Sequence, residues 1–379
     1  MTTAALLDDP HTAYAALRAA GPAHQVTLPD GSPVWVVTRY DDVRAGLADP
    51  RLSLNKRTGT GDWGGFKLPP ALDANLLNMD APDHTRIRRL VAPAFSARRV
   101  EALRPRVAAL AAGLLARRPA DLVAGYAVPL AVTVICDLLG VPDADRPHLR
   151  TWTMGMLAGS AEAVAAFETY LRGLIAAKRT EPADDLITAM VAARDEDDRL
   201  SEDELTSLAF LTLLAGYENS VNLIGNCILL LLQRPELLAE VRADERLRRA
   251  AVEETLRYEP PAILALRRFA RESLAYGEVT IPSGATVLLS LAAANRDPAV
   301  VDDPGEFRLR VPAAPHVGLG HGPHYCFGAA LALLSTEVAV GTLLEQFPQV
   351  RLADPAAPPA WRRSIRSRAL GELPVILIS

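Results

Sequence analysis

Residues 201–232 constrain the fold more than any other stretch of this chain. Ser201 followed by Glu204 is a capping-box signature, in which a hydroxyl and a carboxylate satisfy the first free N–H groups of a helix. The helix it opens runs to about Leu232, about 48 Å at 1.5 Å per residue. An element that long crosses a whole domain, and its apolar faces place it through the middle. Its most apolar part, 208–232, is interrupted by Glu218, Asn219, Asn222 and Asn226. A membrane span needs about 20 mostly apolar residues with few charges, so the expectation is a buried helix of a soluble protein.

The chain has 379 residues, room for one large domain or two modest ones. Helical patterning predicts helices over 10–20, 39–48, 83–92, 98–117, 122–139, 143–157, 160–178, 184–194, 235–246, 247–258 and 327–346. Short alternating runs at 24–29 and 33–38 flank Asp30-Gly31, a hairpin signal. Residues 264–290 are strand-like, and 361–378 read as closing strands. Residues 51–76 form a long loop with little periodicity, and loops of that length are often functional lids. No repeat and no polar linker divides the sequence. The expectation is a mainly α single domain, 1–379, with a small β part built from both chain ends.

Composition excludes some functions. Forty Lys plus Arg against forty-five Asp plus Glu give a net charge of -5, which argues against a nucleic-acid binder driven by bulk positive charge. The three cysteines, Cys136, Cys227 and Cys326, lack zinc-ligand spacing and are too few for a disulfide framework. The first residues carry acids where a signal peptide carries bases. A cytoplasmic protein without a membrane anchor is expected.

The sharpest local feature is HVGLGHGPHYCFGAALA, residues 316–332. Glycines 318, 320, 322 and 328 surround Cys326, which stands just before an apolar helix. A thiolate there gains from free backbone N–H groups and the helix dipole. One cysteine with no second soft ligand does not suit structural zinc, but it suits a haem whose own nitrogens fill the equatorial positions.

LGHGPHYCFG resembles the haem-binding loop of the cytochrome P450 monooxygenases. The resemblance implies the P450 fold, a long central helix over haem b, with Cys326 as the axial metal ligand. It places Gly320, Gly322 and Gly328 on the loop's three glycines and His324 on the basic residue that meets a haem propionate. Leu319 replaces the usual Phe beneath the porphyrin. In EETLRYEPP, residues 253–261, Glu254 and Arg257 share a helix face by spacing. The resemblance makes them the family's Glu-x-x-Arg brace, with Arg310, or else Arg308, as its third member. In DAPDHTRIRRLV, residues 80–91, His84 and Arg88 are four apart on one helix face. The resemblance gives them, with Arg268, the propionates, while Arg86 and Arg89 lie on faces left for solvent or a redox partner.

LLAGYENS, residues 213–220, resembles the segment beside the oxygen-binding face. Ala215, Gly216, Glu218 and Ser220 match that pattern. Asn219 stands where the family's threonine stands. An amide can hold a water by donor and acceptor, but it cannot relay a proton as a hydroxyl does. Ser220 points about 100° away on the helix and is a poor direct substitute. The family's Leu-Ala-Arg-x-Glu after the cysteine becomes Leu331-Ala332-Leu333-Leu334-Ser335. Segments 35–53, 279–298 and 368–377 also look like soluble bacterial members, so the resemblance covers the whole chain.

What the resemblance implies is a monomeric haem-thiolate enzyme that uses O2 and two electrons. It would hydroxylate or epoxidise a medium-sized, largely apolar secondary metabolite. The alternative keeps the oxidant without oxygen insertion: coupling or desaturation of an aromatic or peptide-like substrate. A third reading is a non-catalytic haem protein. The predicted pocket comprises Trp63, Phe66, Leu68, Leu211, Leu214, Ile263, Leu264 and Ile365. The sequence lacks a flavin or dinucleotide fingerprint and an iron–sulfur cysteine set. Electrons are therefore expected from a ferredoxin and an NAD(P)H-dependent ferredoxin reductase, docking near Arg89, Arg98, Arg99 and Arg104.

Overall fold

The computed structural model describes residues 3–60, 68–157, 159–194 and 200–378. The long helix forms as Glu202–Leu232, 31 residues. Its capping box is complete: the Glu204 N–H donates to Ser201 Oγ at 3.1 Å, and the Ser201 N–H donates to the Glu204 carboxylate at 2.7 Å. Every residue from 221 to 232 is buried. The helices Val128–Leu139, Arg246–Tyr258 and Ala329–Gln346 pack against this helix, as does the short helix Pro70–Asp73. Each fully buried leucine or isoleucine in that seam contributes roughly 1.5–3 kcal/mol, so the central helix is held by packing on most sides. No single helix among the described residues is long and apolar enough to cross a membrane.

Among the described residues nine short strands make up the β part: β1 Ala23–Thr27, β2 Pro33–Val37, β3 Leu52–Ser53, β4 Arg268–Ala270, β5 Leu274–Tyr276, β6 Val279–Ile281, β7 Thr286–Leu289, β8 Arg351–Leu352 and β9 Val375–Ile376. Five of them join one sheet in the order β1-β2-β7-β4-β3. β2 and β7 run parallel, Trp35 opposite Val287, and the remaining pairs are antiparallel. Alternation sorts β7 between two apolar clusters. Val287 and Leu289 join the cluster holding Val43, Leu47 and Leu52, whereas Leu288 joins Tyr14 and Leu17 of the N-terminal helix Pro10–Ala20.

Several expectations change. The sheet unites the N-terminal strands with 268–289, not with the C-terminal end; there only Val375–Ile376 is a strand, and it pairs with β8. The helix predicted over 98–117 is two, Ala97–Ala102 and Arg104–Leu115, because Pro105 in the first turn of the second helix has no N–H to continue the first. The stretch 122–139 opens with a π turn, Val123–Ala127, before Val128–Leu139. The 51–76 loop contains β3, a 3-10 turn at Lys56–Thr58 and the helix Pro70–Asp73.

Candidate active site

The cysteine loop is held from beneath by the helix Arg246–Tyr258. Arg257 donates to Glu254 through two bonds, 2.6 and 2.8 Å, and both side chains are buried. The same guanidinium donates to three carbonyls: Asn295, the last residue of the helix Leu291–Asn295, at 3.3 Å, and Pro304 at 3.0 Å and Glu306 at 2.6 Å in the irregular stretch beyond it. Asn295 passes the support onward, donating to the Leu256 carbonyl at 2.9 Å and accepting the Val317 N–H at 2.7 Å. Neither candidate third arginine joins by its side chain. Arg310 reaches only the Asp302 carbonyl at 3.4 Å. Arg308 gives Glu254 its backbone N–H at 2.9 Å and turns its guanidinium to Asp303. A main-chain donor suffices there, so the arginine at either position is not required.

Above this base the loop folds on itself. The Cys326 N–H donates to the Leu319 carbonyl at 2.8 Å, and the Tyr325 N–H to Gly322 at 3.0 Å. Gly320 and Gly322 take φ of +78° and +71°, the left-handed region that side chains disfavour. A Cβ on Gly322 would also sit 2.9 Å from the Ala48 Cβ. Burial pushes the Cys326 thiol up, while the Gly328 N–H and the charge of Arg88 draw it down. Phe327 lies against Phe95, ring centroids 4.1 Å apart, with the Arg88 guanidinium 5.6 Å from the Phe327 ring.

Beside the cysteine four basic groups converge. His84 comes from the helix Asp83–Val91, and its ring lies 3.9 Å from that of His324. Arg88, one turn on, donates to the Tyr325 carbonyl at 2.7 Å. Arg268, on β4, is buried and reaches only the carbonyls of Leu52 and Leu47, at 3.4 and 3.2 Å. Among the described residues none of these four faces a carboxylate in an ion pair, and His84 Nε2 and Arg268 Nε are buried without a hydrogen-bond acceptor. Burial is the first cause that lowers His84, and it pushes His324 down to about 3 and Arg268 to about 10. Asp80 acts on these three only through space and pairs with Arg271 instead, so the cluster suits a dianionic edge such as two propionates.

The central helix has one open face near its middle. Ala215, Glu218 and Asn219 are exposed, although the helix is buried on either side of them. With half-buried Leu211 and buried Asn222 they fall within about 100° of arc at 100° per residue. Gly216 is off that face. A Cβ there would meet Ile135 Cδ1 at 2.6 Å, so the close approach it permits is to the helix Val128–Leu139 and not to the open side. Ser220 is half-buried and also off the face.

The predicted lining is divided. Leu68, Leu211 and Leu214 are half-buried against the main core, and Ile365 is half-buried. Ile263 does not face the site. It is buried with Leu6, Ala13 and Tyr14, its N–H bonded to the Arg366 carbonyl and its carbonyl to the Ala292 N–H. Leu264 packs against that same cluster. Trp63 and Phe66 lie outside the described residues.

Two basic candidates for a partner surface are engaged elsewhere. Arg86 pairs with Glu204 at the start of the central helix. Arg104 pairs with Glu101 and, at 2.9 Å, with Glu337. Arg98 is exposed, and Arg99 has a loose contact with Asp184 at 3.6 Å.

Sequence reasoning missed Glu259. This buried carboxylate gathers His11 at 2.9 Å, Arg368 at 2.7 Å and Arg296 at 3.6 Å. No spacing links groups so far apart in the chain.

The profile of the cytochrome P450 family matches residues 147–354. Cytochrome P450 107B1 of Saccharopolyspora erythraea is 44% identical over 390 residues, covering 98% of this chain and 96% of its own. Mycinamicin IV hydroxylase/epoxidase of Micromonospora griseorubida is 40% identical, covering 96% and 94%. The solved structure of the tirandamycin C-bound P450 monooxygenase TamI is similar with a TM-score of 0.88 at 42% identity, over 99% of this chain and 98% of that one.

Proposed function

The chain belongs to the cytochrome P450 family, and from that premise we propose that residues 1–379 act as one monomeric, cytoplasmic unit that hydroxylates or epoxidises a medium-sized, largely apolar secondary metabolite or its precursor. The family's cofactor is haem b, and its enzymes are haem-thiolate monooxygenases. Here Cys326 would hold the iron, and His84, Arg88, Arg268 and His324 the propionates. The observation that carries this reading is the pair of buried donors without acceptors, His84 Nε2 and Arg268 Nε, beside the cysteine loop.

When bound, the haem supplies oxygen activation driven by the thiolate ligand. The chain's own residues do the rest. Leu319, half-buried at the loop's closing bond, keeps water from the sulfur. Ala215 leaves room on the open face. Asn219 holds a water by its amide donor and acceptor, and exposed Glu218 exchanges protons between that water and solvent. Leu68, Leu211, Leu214 and Ile365 border an apolar substrate. Gly216 and Ser220 keep structural places in this scheme. Electrons come from a redox partner, which we assign to a ferredoxin served by an NAD(P)H-dependent reductase.

The test is Asn219→Ala with product and hydrogen peroxide measured per NAD(P)H consumed. Peroxide should rise several-fold at the expense of product, and Asn219→Thr should recover much of the yield. Unchanged yields in the alanine variant would remove Asn219 from proton delivery. Product formed under isotopically labelled dioxygen should carry the label; a coupled or desaturated product without label would favour the non-inserting reaction.

A further inference from the structure

The central helix beyond Ser220 carries two amides that apolar packing does not explain. Residues 221–232 are buried throughout, yet Asn222 and Asn226 stand among them. Asn226 donates through Nδ2 to the carbonyls of Glu259 at 3.1 Å and Arg368 at 3.0 Å. Two acceptors fix the amide, because a flipped group would set its oxygen against both carbonyls. Its Oδ1 therefore turns the other way, where it is buried without a hydrogen bond among the described residues. Asn222 is 5% exposed, and its Nδ2 is buried without a partner in the same sense.

One orphan is a donor and the other an acceptor. They stand four residues apart, on one helix face, with Cβ atoms about 6 Å apart. A buried donor or acceptor left unmet loses its water hydrogen bond without replacement and destabilises the fold. One water, with legs of about 2.9 Å to each atom, satisfies both. Closed polar sites of this kind are where buried waters sit. With Nδ2 of Asn222 engaged toward Asn226, its Oδ1 is left to accept from the Asn219 side. Asn219, three residues earlier, shares that face and is exposed.

We propose that Asn219, Asn222 and Asn226 form one carboxamide ladder that holds a buried water between Asn222 and Asn226 and thereby orients the Asn219 amide. Asn222 is then a positioning residue. The water site rests on the orphaned atoms alone, whereas its influence on coupling rests on the role proposed above for Asn219.

The haem-loaded protein tests both parts. A high-resolution crystal structure should show a water within about 3 Å of both Asn222 Nδ2 and Asn226 Oδ1; a dry gap or a direct amide contact overturns the site. Asn222→Leu keeps similar volume. If the water is present, leucine expels it, strands Asn226 Oδ1 and lowers the unfolding temperature. An unchanged or raised temperature overturns the proposal, since a dry site would only lose an unmet donor. Asn222→Leu should also raise the peroxide fraction part of the way to that of Asn219→Ala, add nothing in the Asn219→Ala background, and be partly rescued by Asn222→Ser. If Asn219→Ala uncouples and Asn222→Leu does not, the ladder is overturned while the Asn219 reading stands. If Asn219→Ala is itself neutral, that reading and the coupling part of the ladder both fall, and the crystallographic water decides the site.

Discussion

Gly216 of the central helix lies against Ile135: a Cβ on the glycine would come 2.6 Å from Ile135 Cδ1 and 3.0 Å from its Cγ1. The glycine therefore leaves room for the Ile135 side chain between two helices. Gly216→Ala gains about 0.8–1 kcal/mol of helix propensity, but it crowds the contact, and overpacking costs typically about 1–3 kcal/mol. The expected net is a loss of about 1 kcal/mol in urea unfolding. Ile135→Val removes the Cδ1 atom and should recover most of that loss in the Gly216→Ala background. Full stability of the single variant would show that the helices part freely and that the contact is not what requires a glycine.

Arg257 separates the two kinds of arginine in this network. Its loss strands a buried carboxylate, Glu254, together with the Pro304 and Glu306 carbonyls. Removing one partner of a buried pair costs about 3–5 kcal/mol, and the stretch it holds leads into the cysteine loop. Arg257→Ala should therefore lose haem on purification and unfold at much lower denaturant. Arg310→Ala, whose side chain touches only one carbonyl at 3.4 Å, should stay within about 0.5 kcal/mol of the parent. Equal losses in the two variants would give Arg310 a place the geometry denies it.

The Glu259 cluster predicts a dependence on pH. Burial pushes this carboxyl up, but the hydrogen bond and charge of His11, with Arg368 and Arg296, outweigh it and hold it below the ordinary 4.5. A carboxyl depressed in the folded state stabilises above its ordinary value, and the gain is lost as pH falls through the depressed one. Glu259→Gln should thus cost roughly 3 kcal/mol near pH 7, and the gap to the parent should close below about pH 4.5. Denaturant midpoints across pH 3–8 measure this; a gap that stays constant to pH 3 would mean that the carboxylate charge is not what His11, Arg368 and Arg296 hold.

How much was legible depended on whether a local signal existed. The capping box at Ser201 and the Asp30-Gly31 turn each act within a few residues, and both elements formed as read, with Gly31 at φ +86°. The cysteine loop was legible because Gly320 and Gly322 answer to backbone geometry. Gly216 was visible as a close-approach residue, but which neighbour approached depended on helix packing. Arg310 failed for a different reason: Glu254 accepts a main-chain N–H from Arg308, a group every residue but proline carries. Ile263 followed a double proline, where the sequence suggested lining, yet strand-like bonds to Arg366 and Ala292 turn it into the N-terminal cluster. In the sequence Asn222 and Asn226 are only polar interruptions, since an orphaned atom is a property of its surroundings.

The final prediction concerns electron delivery. Of the basic residues expected to meet a ferredoxin, Arg104 is held by Glu101 and Glu337, whereas Arg98 is exposed and Arg99 is only loosely engaged. A bound acid offsets a cation's field outside the protein, so Arg98 and Arg99 carry more of the steering from this patch than Arg104 does. Charges of this kind act mainly on encounter rate. Arg98→Glu with Arg99→Glu should slow reduction by an acidic ferredoxin about tenfold at low ionic strength. The deficit should shrink as salt shortens the screening length to about 8 Å, and reduction by dithionite should be unaffected. Arg104→Ala combined with Glu101→Gln, which removes the pair without changing the net charge, should change the rate little in the same stopped-flow assay. A larger effect at Arg104 than at the Arg98–Arg99 pair would place the docking surface beside Glu337 instead.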